Sequence, residues 1–317
     1  MKNLSGSQSI ERVAPLSARS LQALIRTMRP RQWIKNIFVF AAIAFSEGRL
    51  WYTEPVQLLR VIGAFIAFCM AASAIYLIND LVDIEKDRAH PKKRHRPLAA
   101  GILSPTLAMV TAAILIIAVF PFAFWLDGDL DFMLVLAIYI AVQGFLYSYW
   151  LKNVVIFDIL IIAAGFILRA VAGAVVIDIV ITPWLIVCMG LLALFLGIGK
   201  RRHELKLLED GAGNHRRILD EYSIPLLDQM QAIVTASIVM AYSMTAFSAP
   251  VAPQKPFPML MITIPFVVYA IFRYLYLIHQ RDGGGAPEDL VLQDRPLALS
   301  IVLWGVTVLG VLVLFPS

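Results

Sequence analysis

The sequence predicts an all-α polytopic membrane protein, with nine transmembrane helices around a central cavity open to the cytoplasmic side. Of its 317 residues 60% are apolar and only 15% charged, with a mean hydropathy of +0.77; a soluble globular chain is nearer a quarter charged. The apolar runs approach twenty residues and do not alternate, which suits helices that satisfy their own backbone in lipid. The charge that remains is gathered into alternate connections. Cys69 and Cys188 both lie inside apolar runs, so they read as small buried hydrophobes without a disulfide or cysteine metal site. The formal charge of +5 reports orientation and lipid attraction, not nucleic-acid binding.

In chain order, residues 1–20 are polar and mixed and read as a disordered or weakly ordered tail. Residues 21–317 then form a single transmembrane helical domain. The first apolar stretch starts only at Ile34, too far in for a cleavable signal peptide. Leu21 to Arg31 reads as a short interfacial helix ending near Pro30, because Arg26, Arg29 and Arg31 precede Trp33 and Lys35, the basic and aromatic mixture of the headgroup level. The spans follow at 34–47, 56–78, 103–125, 131–150, 154–176, 181–199, 228–248, 257–279 and 297–315. With the amino terminus inside, the inner connections carry fifteen Lys and Arg, and seven more lie in the amino-terminal segment through Lys35. The outer connections hold only Arg49 and Lys255. That bias sets the orientation and leaves the carboxyl terminus outside.

The chemistry is concentrated in the inner connections. Asn79-Asp80-Leu81-Val82-Asp83-Ile84-Glu85-Lys86-Asp87-Arg88 follows the second span and leads to Lys92, Lys93, Arg94, His95 and Arg96. If the helix from Val56 runs on through it, Asp80, Asp83 and Asp87 share one face, and oxygen ligands at that density suit a hard divalent ion. A second connection, 200–227, opens with Lys200-Arg201-Arg202-His203-Glu204 and continues to Asn214-His215-Arg216-Arg217, an anion-binding or lipid-anchoring surface without the spacing of a zinc hydrolase. Tyr147, Lys152 and Asp158 stand together at the inner ends of the fourth and fifth spans. Arg169 lies eleven residues deeper than Asp158, where a charge needs a partner or a ligand. A glycine-rich loop, Gly283-Gly284-Gly285, lacks the G-K-[ST] of a nucleotide loop. Cations on carboxylates with a basic surround suit departure of a metal-bound diphosphate from carbon. A transporter would place its charges at mid-depth on broken spans.

Asn79-Asp80-x-x-Asp83-x-x-x-Asp87-Arg88, with Arg-Pro-Leu-Ala-Ala-Gly at 96–101, resembles the first aspartate-rich motif of the intramembrane aromatic prenyltransferase superfamily. The second acidic motif of that superfamily is replaced by the basic run at 199–205, which counts against an isoprenyl diphosphate donor. Arg29-Pro30-Arg31-Gln32-Trp33-Ile34-Lys35-Asn36 and the segment from Pro287 to Leu297 resemble one branch, the bacterial decaprenyl-phosphate phosphoribosyltransferases. The resemblance implies transfer of a 5-phosphoribosyl group from phosphoribosyl diphosphate to a polyprenyl phosphate, in synthesis of a lipid-linked arabinofuranose donor for the cell wall. It also implies Mg²⁺, with Mn²⁺ as an alternative, on Asp80, Asp83 and Asp87, which count with Lys35 as the catalytic set. Arg29, Asn79, Arg88, Arg94, Tyr147, Lys152, Asp158, Lys200, Arg201 and Arg202 complete the expected substrate-binding set. The expected setting is the bacterial inner membrane, with a cytoplasmic active site and room for a homo-oligomer. An aromatic prenyltransferase is the second reading, a transporter the third.

Overall fold

A computed structural model describes residues 18–46, 50–90, 93–209, 217–249, 254, 257–281 and 287–315. All the regular elements among them are helical: α1 (Ala18–Met28), a 3-10 segment (Pro30–Phe40), α2 (Ala41–Ala44), α3 (Leu50–Thr53), α4 (Pro55–Val82), α5 (Ile84–Ala89), α6 (Pro105–Asp127) and α7 (Asp131–Tyr139). A π-helical stretch (Ile140–Leu146) joins α7 to α8 (Tyr147–Tyr149), and α9 (Phe157–Val175), α10 (Pro183–Glu209), α11 (Ile224–Ser248), α12 (Ile264–Gln280), α13 (Pro287–Gln293) and α14 (Arg295–Leu314) complete the chain. The expected tail, apart from positions 18–20 that open α1, lies outside the described residues, as do Asn214, His215, Arg216 and the glycine-rich loop.

Among the described residues eight helices are long and apolar enough to cross a membrane: α4, α6, Asp131–Tyr149, α9, Pro183–Leu207 of α10, α11, Met259–Gln280 and α14. The chain is an all-α, multi-pass membrane protein. Its helices start where the sequence provides starts. Pro55 and Pro105 occupy the first turn of α4 and α6, where a missing N–H costs nothing. The Ser223 and Asp294 side chains accept the Leu226 and Leu297 amides at the heads of α11 and α14. Gly128 ends α6 in the left-handed conformation that favours glycine.

The first expected span, 34–47, is not one of the eight. Residues 30–40 form the 3-10 segment, which packs between α4 and α9. Its polar side chains explain that geometry. Trp33 Nε1 donates to Ser73 Oγ of α4 at 3.1 Å, Asn36 Nδ2 to Cys69 Sγ at 3.2 Å, and Arg169 Nε of α9 to Asn36 Oδ1 at 2.7 Å. At Gly173 of α9 the backbone of the segment comes so close that a Cβ would overlap the Val39 carbonyl. Arg169 also donates to Tyr139 Oη at 2.7 Å and to the Gly165 carbonyl at 2.7 Å, with the Phe68, Tyr139 and Phe166 rings around it. A buried cation here is held by neutral acceptors and ring faces. The core of α4 is largely alanine, with Ala64, Ala67, Ala71 and Ala74 fully buried, and such small residues let neighbouring helices approach closely.

Candidate active site

The acidic motif does not form one helical face. α4 stops at Val82, and Asp83 (φ −92°, ψ 8°) is at once its C-cap and the residue that flanks α5. The expectation of a continuous helix through Asp87 is corrected by this break, at which Asp83 is separated from the other two carboxylates. Asp80 and Asp87, each only 3% exposed, are drawn to a single point. Asp83 faces Lys86 at 3.7 Å instead.

The point where the two acids meet is a guanidinium. Arg96 Nη1 donates to Asp80 Oδ1 at 3.0 Å and to Asp87 Oδ2 at 2.8 Å. Arg29 Nη2 donates to Asp80 Oδ1 at 2.7 Å, and its guanidinium lies 4.6 Å from the centre of the Tyr76 ring. Both arginines are set by local backbone. Arg29 is the joint between α1 and the 3-10 segment and adopts a left-handed conformation (φ 56°, ψ 61°), which costs a non-glycine residue about 1–2 kcal/mol and is held here by the ion pair. Arg96 begins the turn Arg-Pro-Leu-Ala-Ala-Gly, which closes as a helical C-terminus. The Gly101 amide bonds the Leu98 carbonyl at 3.1 Å and the Ile102 amide the Pro97 carbonyl at 2.9 Å, with Gly101 at φ +72°. Leu98 is buried beneath, so the turn is anchored while the arginine reaches out of it. A cavity of about 230 Å³ opens here, lined by Arg26, Arg29, Asp80, His95 and Arg96 among others. Three guanidiniums against the one lining carboxylate, Asp80, leave it net positive, with Asp87 joined to it through Arg96.

The other expected residues fall elsewhere. Tyr147, Asp158 and Arg201 come together in a second cluster. Arg201 Nε donates to Asp158 Oδ2 at 2.6 Å, its Nη1 to Glu204 at 2.5 Å, and Tyr147 adds to the electrostatic surroundings of that guanidinium. Tyr222 donates to Asp158 Oδ1 at 2.7 Å, and burial together with that bond pushes its phenol above the ordinary tyrosine range. Arg202 forms a third group with Asp228 at 2.6 Å and the Ile278 carbonyl, and His279 approaches the same aspartate at 3.3 Å. Arg201 and Arg202 therefore hold carboxylates of their own. Arg88 bonds Glu85 and the Ala99 carbonyl, tying α5 to the 96–101 turn. Arg94 is exposed beside His95, and the Asn79 carbonyl caps α4. Lys35, Lys152 and Lys200 are half-buried and do not line the cavity. Arg26 and Arg96 were not among the expected site residues. The signal for Arg96 was the glycine five positions later, which closes a turn and so fixes one arginine out of a run of bases.

The profile of the UbiA prenyltransferase family matches residues 37–289. The chain belongs to the UbiA prenyltransferase family. Within it, the chain is 38% identical over 294 residues to a decaprenyl-phosphate phosphoribosyltransferase of Mycolicibacterium smegmatis, covering 90% of each chain. It is 36% identical to the protein of the same name from Mycobacterium tuberculosis, covering 92% and 94%, and 33% identical to that of Corynebacterium glutamicum, covering 89% and 84%. Among solved structures, a UbiA homolog from Archaeoglobus fulgidus bound to DMAPP and Mg²⁺ superposes with a TM-score of 0.66 at 16% identity, over 92% of this chain and 99% of that one. That likeness establishes the fold.

In this UbiA-family chain the donor set at the cavity suits magnesium. Mg²⁺ is usually held by one or two carboxylates plus substrate phosphates and water, not by a cage made only of protein. Asp80 and Asp87 offer hard oxygens at one point, and a cationic nitrogen already lies between them. Among the described residues no three His, Cys, Asp or Glu side chains converge.

Proposed function

We propose that this chain transfers a 5-phosphoribosyl group from 5-phosphoribosyl 1-diphosphate to a polyprenyl phosphate, releasing diphosphate, as a step toward a lipid-linked arabinofuranose donor. The observation that carries this reading is the match along nearly the whole chain to decaprenyl-phosphate phosphoribosyltransferases from three bacteria. The net-positive cavity, lined by Asp80 and joined to Asp87 through Arg96, supports it. Asp80 and Asp87 would hold a divalent ion, which when bound neutralises charge on the leaving diphosphate. Arg29 and Arg96 hold the donor's phosphates with paired N–H groups, and Arg26 at the rim receives the acceptor's phosphate. That phosphate is already an anion at neutral pH, so its oxygen attacks the anomeric carbon without a general base, and configuration there inverts as diphosphate leaves.

A second cavity, of about 170 Å³ and lined mostly by apolar side chains, lies across the Met28–Arg29 joint between Met28, Trp33, Phe65, Ile66, Cys69, Met70 and Ser73. It suits the isoprenoid chain next to its own phosphate. The 3-10 segment counts as a ninth crossing in this reading. Eleven residues at about 2.0 Å each, continued by one α-helical turn, approach the roughly 30 Å of a hydrocarbon core. The cavity then faces the cytoplasm, on the side of the basic connections.

The test is incubation of the purified chain with Mg²⁺, polyprenyl phosphate and either phosphoribosyl diphosphate or an isoprenyl diphosphate. Diphosphate release from the sugar donor alone, dependent on the lipid phosphate, is expected. Release from the isoprenyl donor would return the chain to the prenyl transfer for which the family is named.

A further inference from the structure

Two buried carboxylates at one point repel each other and are costly to desolvate without a cation. In the structure the cation shared by both acids is Arg96, whose single nitrogen Nη1 touches each, while Arg29 adds a contact to Asp80 alone. We propose that Arg96 is an exchangeable counter-ion, which holds Asp80 and Asp87 together until the donor arrives and then yields them to a divalent ion while moving onto the donor's diphosphate. This rests on the reading of the cavity as a site for a metal-bound diphosphate.

The geometry supports an exchange rather than a fixed bridge. The backbone of Arg96 belongs to a turn closed by Gly101 and anchored by Leu98. Its side chain is 29% exposed against 4% for either partner. The guanidinium can therefore leave the acids without disturbing the fold. An ion alone must compete with Arg96 for the same oxygens and binds weakly. Diphosphate offers the guanidinium oxygens of its own in a matching fork, which removes the competition, so ion and diphosphate promote each other's binding. Arg29 has a smaller part. It competes for Asp80 Oδ1 alone, at 2.7 Å, its guanidinium lies over Tyr76, and its loss leaves Arg96 bridging both acids.

The experiment measures Mn²⁺ bound to the full-length chain in detergent by equilibrium dialysis, with and without inorganic diphosphate. The unsubstituted chain should bind Mn²⁺ weakly alone and at least about tenfold more tightly with diphosphate. Arg96→Gln should tighten Mn²⁺ alone by about tenfold, the scale set by losing one charge-assisted competitor, and lose most of the response to diphosphate. Arg29→Gln, which frees one oxygen of one acid, should tighten it less than Arg96→Gln does and keep the response to diphosphate. Arg96→Lys, whose ammonium serves one carboxylate at a time, should fall between and carries the test if Arg96→Gln does not fold. Mn²⁺ affinity unchanged or weakened in both Arg96 variants, or tightened equally in Arg29→Gln, would overturn the exchange while leaving the proposed function standing. No diphosphate-dependent Mn²⁺ uptake by the unsubstituted chain would overturn the reading of the cavity, and the exchange with it.

Discussion

At the scale of single residues, the three acids of one motif are not equivalent. Asp80 and Asp87 share a cationic partner in a buried place, whereas Asp83 sits at a helix break with a lysine at 3.7 Å. Asp80→Asn or Asp87→Asn should lower kcat/KM on the order of a hundredfold to a thousandfold, the range for removing one preorganised electrostatic contact. Asp83→Asn should stay within about tenfold. Equal losses at all three, measured by release of diphosphate, would restore the three-carboxylate face. Asp294 has a different task. Arg273 donates two hydrogen bonds to it, at 3.1 and 2.8 Å, and holds its carboxyl below the usual range, while the same side chain caps α14. A depressed folded value means that the charge stabilises the fold above the ordinary 3.8 and that this contribution is lost as pH falls through the lower folded value. Thermal melts of the unsubstituted chain should therefore drop more steeply on acidification below about pH 4 than those of Asp294→Asn, which keeps a capping oxygen but has no charge to lose.

At the scale of elements, what the sequence revealed and what it hid divide along physical lines. Eight spans were legible because twenty apolar residues have no other stable form in lipid. The 3-10 segment was not, since its geometry depends on Ser73, Cys69, Arg169 and Gly173, which come from two distant helices. Arg169 was legible as an anomaly, but its neutral partner Asn36 lies 133 residues away. At the site, residue type pointed to Asp80 and Arg29, while choosing Arg96 over its neighbours required the fold of the 96–101 turn. These contacts set two expectations. Gly173→Ala should destabilise the chain by about 1–3 kcal/mol, because its methyl meets a backbone carbonyl that no side-chain rotation can clear; an unchanged melting temperature would show the segment to be loosely seated. Gly101→Ala meets no atom within 4 Å, so its cost is conformational alone, about 1–2 kcal/mol. It should act on Arg96 by raising the KM for the sugar donor more than it lowers kcat.

At the scale of the whole molecule, the proposed reaction demands one orientation of the bundle, because its soluble, charged sugar donor would have to reach the cavity from the compartment that makes it. The paired acids, Arg29 and Arg96 lie at the end of α4 that carries residues 79–102, and the arginine groups of α10 open the next long basic connection. The opposite connections are short, and Asp127 and Asp129 lie in one of them. The proposed orientation rests on retention of basic loops at the cytoplasmic face. The chain is well suited to a direct check, since both native cysteines are buried and should resist a membrane-impermeant maleimide. Arg94 and Asp129 are exposed at the two ends. In intact spheroplasts Asp129→Cys should label at once, and Arg94→Cys only after the membrane is opened. The reverse pattern would place the cavity outside, where phosphoribosyl diphosphate is absent, and the proposed reaction could not be the one this chain performs.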